Sequence, residues 1–176
     1  MKAQSVKLPI FTSTGQFVAH YSEKGLAELD FPPVGTPRRG VRSEFLRDDR
    51  RTPRRGVPTT IRKWHRTTAA ALKNILAGRS PGKFPPLDLS HGTMFQRKVW
   101  NALRKIARGQ TKSYGEIARA VGKPKAVRAV GGACGANPIP VLIPCHRVVA
   151  ANKKLGGFTG GLNRKHKLLA REGINL

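Results

Sequence analysis

The segment 139–149, IPVLIPCHRVV, constrains the fold of this chain more than any other. An apolar, β-branched run of this kind belongs in a protein interior, and it reads as a buried strand that brings one thiol, Cys145, to its end between a proline and a histidine. An isolated cysteine more often packs as a small hydrophobe than reacts. Here His146 and Arg147 follow at once, and a thiol with a reference pKa of about 8.5 needs a nearby base or positive field to become a good nucleophile. Because side chains alternate along a strand, His146 is expected to reach Cys145 through a bend or a bridging water.

The 176 residues suffice for one domain or two small ones. Thirty-four Lys and Arg against nine Asp and Glu give a net charge of +25, which points to a polyanionic partner, most often nucleic acid. From residue 89 onward seventeen basic residues face only two acids, Glu116 and Glu172, so each of those acids needs its own reason. With only Cys134 and Cys145, neither a disulfide framework nor a four-cysteine zinc site is plausible. His20, His65 and His91 are scattered singly, so neither a metal nor a cofactor is expected. No stretch approaches eighteen apolar residues and the amino terminus lacks a cleavable leader, so a soluble protein of the cytoplasm or nucleus is expected.

Along the chain, Gln16 to Tyr21 and the alternation of Ala27, Leu29 and Phe31 with Glu28 and Asp30 predict a small antiparallel sheet, with a turn at Ser13-Thr14-Gly15. Residues 32–58 hold five prolines, eight arginines and a TPRRGV near-repeat, which reads as a flexible surface loop that touches phosphates or is simply solvated. Ile61, Trp64, Thr68, Leu72, Ile75 and Leu76 fall at helical spacing, and the helix should end near Gly78. The proline-rich stretch 78–92 is the expected boundary between a sheet-plus-helix domain, 1–91, and a second domain, 92–176.

In the second half Thr93 can cap a helix with Phe95, Val99, Leu103 and Ile106 on one face, ending at Gly109. Ser113 and Glu116 form a capping box, which is one reason for that acid. The helix it opens breaks at Gly122, and a second short helix over 125–137 completes a helix-turn-helix. Ala126, Ala129, Gly131 and their neighbours leave this second helix smooth, so a partner's backbone can come close. Arg128 is the long cation that stands out of it.

Tyr114 after the capping serine, RAVGG at 128–132, Asn137-Pro138, PCHRV at 144–148, GGFTGGL at 156–162 and KLLAREG at 167–173 together resemble the O6-alkylguanine-DNA alkyltransferases. The resemblance covers roughly 92–173; over 1–91 it is weak, though a small sheet plus helix is compatible with the family's ribonuclease H-like amino-terminal domain. It implies an α/β fold with a winged-helix-like carboxy-terminal domain. It also implies a monomer that binds double-stranded DNA in the minor groove, flips O6-alkylguanine out of the duplex and takes the alkyl group irreversibly. In that reading Cys145 is the acceptor, His146 its base through a water, and Glu172 the carboxylate that orients the histidine. Tyr114 assists the departing guanine, Asn137 ties the recognition helix to the cysteine strand, and Arg128 fills the space left by the flipped nucleotide, with Lys125, Ala126, Ala129 and Gly131 on the DNA. Pro140, Val148, Phe158 and Thr159 surround the base, and Cys134 is left over as packing.

Two other classes fit parts of the pattern. A non-catalytic lesion-binding relative is opposed by the presence of Cys145, because such proteins replace it. A plain DNA-binding regulator leaves Cys145, His146 and Glu172 without a joint purpose. A zinc deaminase is excluded, since the second cysteine of its PCxxC signature is absent.

Overall fold

The computed structural model describes residues 5–33 and 56–176. Most of the expected arginine-rich loop at 32–58 therefore lies outside the described residues. Three strands, β1 (Val6–Thr12), β2 (Gly15–Ser22) and β3 (Gly25–Asp30), form an antiparallel sheet in the order β1-β2-β3, as the alternation predicted. One detail escaped that alternation. Between His20 and Tyr21 the β2–β3 register shifts, so Tyr21 pairs with Leu26 and His20 with Glu28, and Ala27 is the extra residue of a bulge. The bulge lets Leu26 and Leu29, three residues apart, both point into the core.

Helix α1 (Thr59–Leu76) buries Ile61, Thr68, Leu72, Ile75 and Leu76, the stripe read from the spacing, together with His65 and two alanines. Trp64 is only half-buried. The proline-rich stretch after it is not a bare connection. Leu26 donates its amide to Pro86 O at 2.8 Å and accepts from Asp88 N at 2.8 Å, which lays this stretch against β3, while Ser22 Oγ donates to the buried Asp88 carboxylate at 2.5 Å.

In the second half α2 (Met94–Leu103) opens on a Thr93–Gln96 capping box. It stops at Leu103, so the buried Ile106 sits in the following turn and not on the helix as expected. Trp100 anchors α2 to the next layer, its indole N–H donating to Ala133 O at 2.8 Å. Strand β4 (Lys112–Ser113) leads straight into α3 (Tyr114–Ala120), whose Ser113–Glu116 capping box is present in both directions. A turn through Gly122, at φ 74°, brings in α4 (Val127–Gly135), which is shorter at both ends than the spacing suggested. Two-residue β5 (Val148–Val149) pairs in parallel with β4, and α5 (Leu162–Arg171) closes the chain. Cores from both halves merge into one apolar cluster that runs from Leu8 to Leu168. Among the described residues no helix is long and apolar enough to cross a membrane.

Candidate active site

Cys145 does not end a strand. Residues 139–144 make a tight irregular turn with Val141 at φ 73°, and Cys145 opens a single 3-10 turn, Cys145–Arg147, that precedes β5. Three prolines, 138, 140 and 144, remove the amide donors a ladder needs, which is why an apolar β-branched run fails to become a strand here. A β-branched residue in the left-handed region is costly and is held by its surroundings: Val141, Leu142 and Ile143 are all buried. Strand alternation therefore does not govern the relation of Cys145 to His146.

Asn137, just beyond α4, fixes this turn with both ends of its amide. Its Nδ2 donates to Ile143 O at 2.9 Å and to Cys145 Sγ at 3.1 Å, and its Oδ1 accepts from Ile139 N at 3.1 Å. Burial pushes the Cys145 thiol pKa up, and the Asn137 donor and the ammonium of Lys165 oppose that.

His146 is fully buried and its Nε2 lies 3.0 Å from Glu172 Oε1. Burial alone would raise the Glu172 pKa, but the bonds from His146 and Arg147 hold it at about 2, so the carboxylate accepts and Nε2 carries the proton. Burial lowers the His146 pKa, opposed by Glu172. A neutral ring protonated at Nε2 has its lone pair on Nδ1, and Nδ1 is buried with no hydrogen-bond partner among the described residues. Arg147 braces the same carboxylate from the other side, Nε at 2.9 Å from Oε2 and Nη2 at 2.9 Å from Oε1, while its Nη1 donates to Ile106 O at 2.7 Å. That pairing offsets the unfavourable place of an acid at the α5 carboxyl end.

A cavity of about 260 Å³ opens on Cys145 and is bounded on the same side by Cys134, Asn137, Pro140, Phe158 and Thr159. Pro140, Phe158 and Thr159, read from the sequence as base-pocket residues, are thus brought together around this cavity. Val148, read with them, does not line it: the residue is fully buried, its N–H donating to Cys145 O and its carbonyl accepting from Lys165 Nζ at 2.5 Å. Cys134, expected only to pack, shares the cavity with Cys145, and burial pushes its pKa up to about 12. Tyr114 is half-buried beside the loop, its hydroxyl 3.4 Å from Gly157 O, and burial raises its pKa. Arg128, Ala129 and Lys125 are exposed, and Ala126 and Gly131 half-buried, in and just before α4.

Two features of the site were not read from the sequence. Lys165 is fully buried, with Nζ donating to the carbonyls of Val148, Leu155 and Gly157, and so ties the glycine loop to β5. Its signal was available: it shares the apolar stripe of α5 with Leu168 and Leu169. The other is the far wall of the cavity, made by Glu28, Leu29, Asp30 and Phe31 of the first half. His20 proves not to be isolated, for it lies between two of these acids, Nδ1 3.2 Å from Glu28 and Nε2 2.8 Å from Asp30. Their donor atoms lie within 4.8 Å of one another, but each carboxylate faces a different ring nitrogen, so one ion on the imidazole would keep only one of these contacts.

Residues 94–174 match the family described as 6-O-methylguanine DNA methyltransferase, DNA binding domain. A methylated-DNA--protein-cysteine methyltransferase of Mycolicibacterium paratuberculosis is 58% identical over 86 residues, 49% of this chain and 52% of that protein. The Salmonella typhimurium protein of the same name is 46% identical over 114 residues, 62% of this chain and 67% of the relative. A crystal structure of Mycobacterium tuberculosis O6-methylguanine methyltransferase superposes with a TM-score of 0.69 at 35% identity, covering 96% of this chain and 93% of that one. Several of the matched curated relatives are aligned over only about half their length, as with the 52% and 53% covered in two of them.

Fold and site define a small mixed α/β protein that holds a buried histidine–glutamate pair next in sequence to a cavity-lining cysteine, beside a helical hairpin. The chain belongs to the 6-O-methylguanine DNA methyltransferase family.

Proposed function

We propose that this protein repairs O6-alkylguanine in DNA by moving the alkyl group to Cys145, once per molecule. The observation that carries this reading is the His146–Glu172 pair, 3.0 Å apart, which leaves Nδ1 as a buried lone pair beside the turn that holds the thiol. Nδ1, directly or through one water, takes the thiol proton; the sulfur attacks the alkyl carbon, an S–C bond forms as the C–O6 bond breaks, and guanine departs as the neutral base once O6 or a ring nitrogen regains a proton. Tyr114 is the donor that eases this departure, and Glu172 supports the transient positive charge on the imidazole. The thioether is inert and the step uses no cofactor, so the acceptor is consumed.

A structure of a Mycobacterium tuberculosis relative, 34% identical with a TM-score of 0.70, is titled as a complex with DNA, which supports DNA as the partner here. We place the duplex against the smooth surface of α4, on its minor-groove side, with the target base flipped toward the cavity and Arg128 entering the stack. Lys125, Ala126, Ala129 and Gly131 then lie at the backbone, and Pro140, Phe158 and Thr159 around the base. We also read the chain as a monomer of two units, 1–91 ribonuclease H-like and 92–176 winged-helix-like, working in the compartment that holds the DNA. The experiment is intact-mass measurement after incubation with duplex containing O6-methylguanine. One added methyl group, mapped to Cys145, is expected; methylation of Cys134 alone, or turnover beyond one lesion per molecule, would overturn the assignment.

A further inference from the structure

In a chain of net charge +25, two of the nine acids, Glu28 and Asp30, line the cavity that holds Cys145. Their placement is built, not incidental. Leu29 N donates to Pro138 O at 2.8 Å, which splices β3 onto the turn leading to Cys145. Phe31 packs edge-on against Phe158 with ring centroids 5.7 Å apart, holding the strand end against the glycine loop. The half-buried His20 ring stands between the two carboxylates, at 3.2 and 2.8 Å, and fixes both at the rim with about half of each side chain still open to solvent.

Among the described residues, two cations near this wall are already committed. Lys165 is fully buried with Nζ on three carbonyls, and Arg164 lies over the Phe31 ring, 5.0 Å from its centroid, donating to Pro32 O at 2.5 Å. Among the described residues lining the cavity there is no lysine or arginine. A substituent that extends from guanine O6 past Cys145 toward β3 therefore approaches a wall built from Glu28, Leu29, Asp30 and Phe31, two of its four residues acidic.

We propose that Glu28 and Asp30 set the substrate range of the alkyl transfer, favouring O6 substituents that end in a cation or a hydrogen-bond donor and disfavouring those that end in an anion. The proposal rests on Cys145 being the alkyl acceptor. Charges at a solvent-exposed rim interact modestly, so the expected preference is about fivefold to tenfold for one remote charge reversed.

The test measures single-turnover transfer by intact mass from duplexes carrying O6-(3-aminopropyl)guanine or O6-(3-carboxypropyl)guanine, where the charge is remote from the reacting carbon. The ratio of the two rates in one protein cancels what a substitution does to the thiol or to DNA binding. The unsubstituted protein should prefer the aminopropyl lesion, and Glu28→Gln/Asp30→Asn should bring the ratio close to one. Should the double variant not fold, Glu28→Gln alone should lower the ratio part-way, and raising salt should lower it in the unsubstituted protein, because exposed charges are screened. A ratio near one in the unsubstituted protein, or one that no substitution changes, overturns the proposal. An O6-methylguanine duplex run in parallel separates the two ideas. Methyl transfer with a ratio of one sinks only the acidic wall, whereas no transfer to Cys145 sinks the acceptor reading and the wall with it.

Discussion

Glu172 holds His146 and Arg147 at once, with Oε1 3.0 Å from the imidazole Nε2 and 2.9 Å from the guanidinium Nη2. One carboxylate thus fixes the tautomer of the imidazole and neutralises the cation that follows it in sequence. Glu172→Gln keeps the shape but removes the charge that supports a protonated imidazole. Transfer to Cys145 should slow by about a hundredfold, within the range of a lost general-base contribution. Rapid-quench rates across pH 6 to 9 check this. A rate within about threefold of the unsubstituted protein would show that the pair is only structural.

The same carboxylate sets an acid limit on stability. Its folded pKa is about 2 against an ordinary 4.5, so the folded state binds fewer protons between those values. The stabilisation is full above the unfolded pKa and is lost as pH falls from about 4.5 through 2. His146 acts in the same sense at higher pH: its folded pKa is depressed by burial, so stability begins to fall once pH drops below its ordinary 6.5. Thermal melts from pH 7 to pH 2 should show a two-part decline, and Glu172→Gln should flatten the lower part. An unaltered lower limb would place the acid sensitivity elsewhere.

Asn137 carries three hydrogen bonds, to Ile143 O, to Cys145 Sγ and from Ile139 N, in a turn whose backbone is already strained at Val141. Asn137→Ala leaves buried groups without partners, and at about 1 kcal/mol or more for each bond the loss should be on the order of 2–4 kcal/mol. Urea unfolding measures it directly. Because the amide also donates to the sulfur, the thiol of the variant should react more slowly at pH 7 with a small disulfide reagent under native conditions, provided the turn holds. A stability change under 1 kcal/mol would mean that the turn is held by its prolines alone.

What the sequence disclosed and what it hid follow from how local each cause is. Ser113 with Glu116 and Thr93 with Gln96 satisfy amides within one turn, so spacing sufficed to read the first box and the second cap. The stripe of α1 was legible for the same reason. The apolar run before Cys145 has the composition of a strand, yet Pro138, Pro140 and Pro144 withhold the amides a ladder needs, and that signal is present in the sequence itself. Glu172 was tied to His146 only through a family resemblance, since 26 residues separate them and no local pattern links the two. The acid-lined wall depends on a bulge at Ala27 and on the docking of β3 against Pro138, both tertiary outcomes with no local signature.

Arg128 offers a way to separate chemistry from base extrusion. On α4 the inner stripe is Val130, Ala133 and Cys134, all buried, which leaves Arg128 and Ala129 outward beside the exposed Val127. No hydrogen bond or ion pair fixes Arg128 to the rest of the fold among the described residues, and its removal should leave the melting temperature unchanged within a degree or two. If its side chain fills the gap in the stack, Arg128→Ala should slow repair of O6-methylguanine in duplex by at least tenfold, since unstacking a base costs a few kcal/mol. Reaction with free O6-benzylguanine, where nothing is extruded, should change by less than about twofold. Affinity for undamaged duplex should fall only by the share of one phosphate contact, read as a loss of about one unit in the salt slope. Equal losses on free base and duplex would instead make Arg128 a structural residue of α4, and base extrusion would have to be assigned to another side chain.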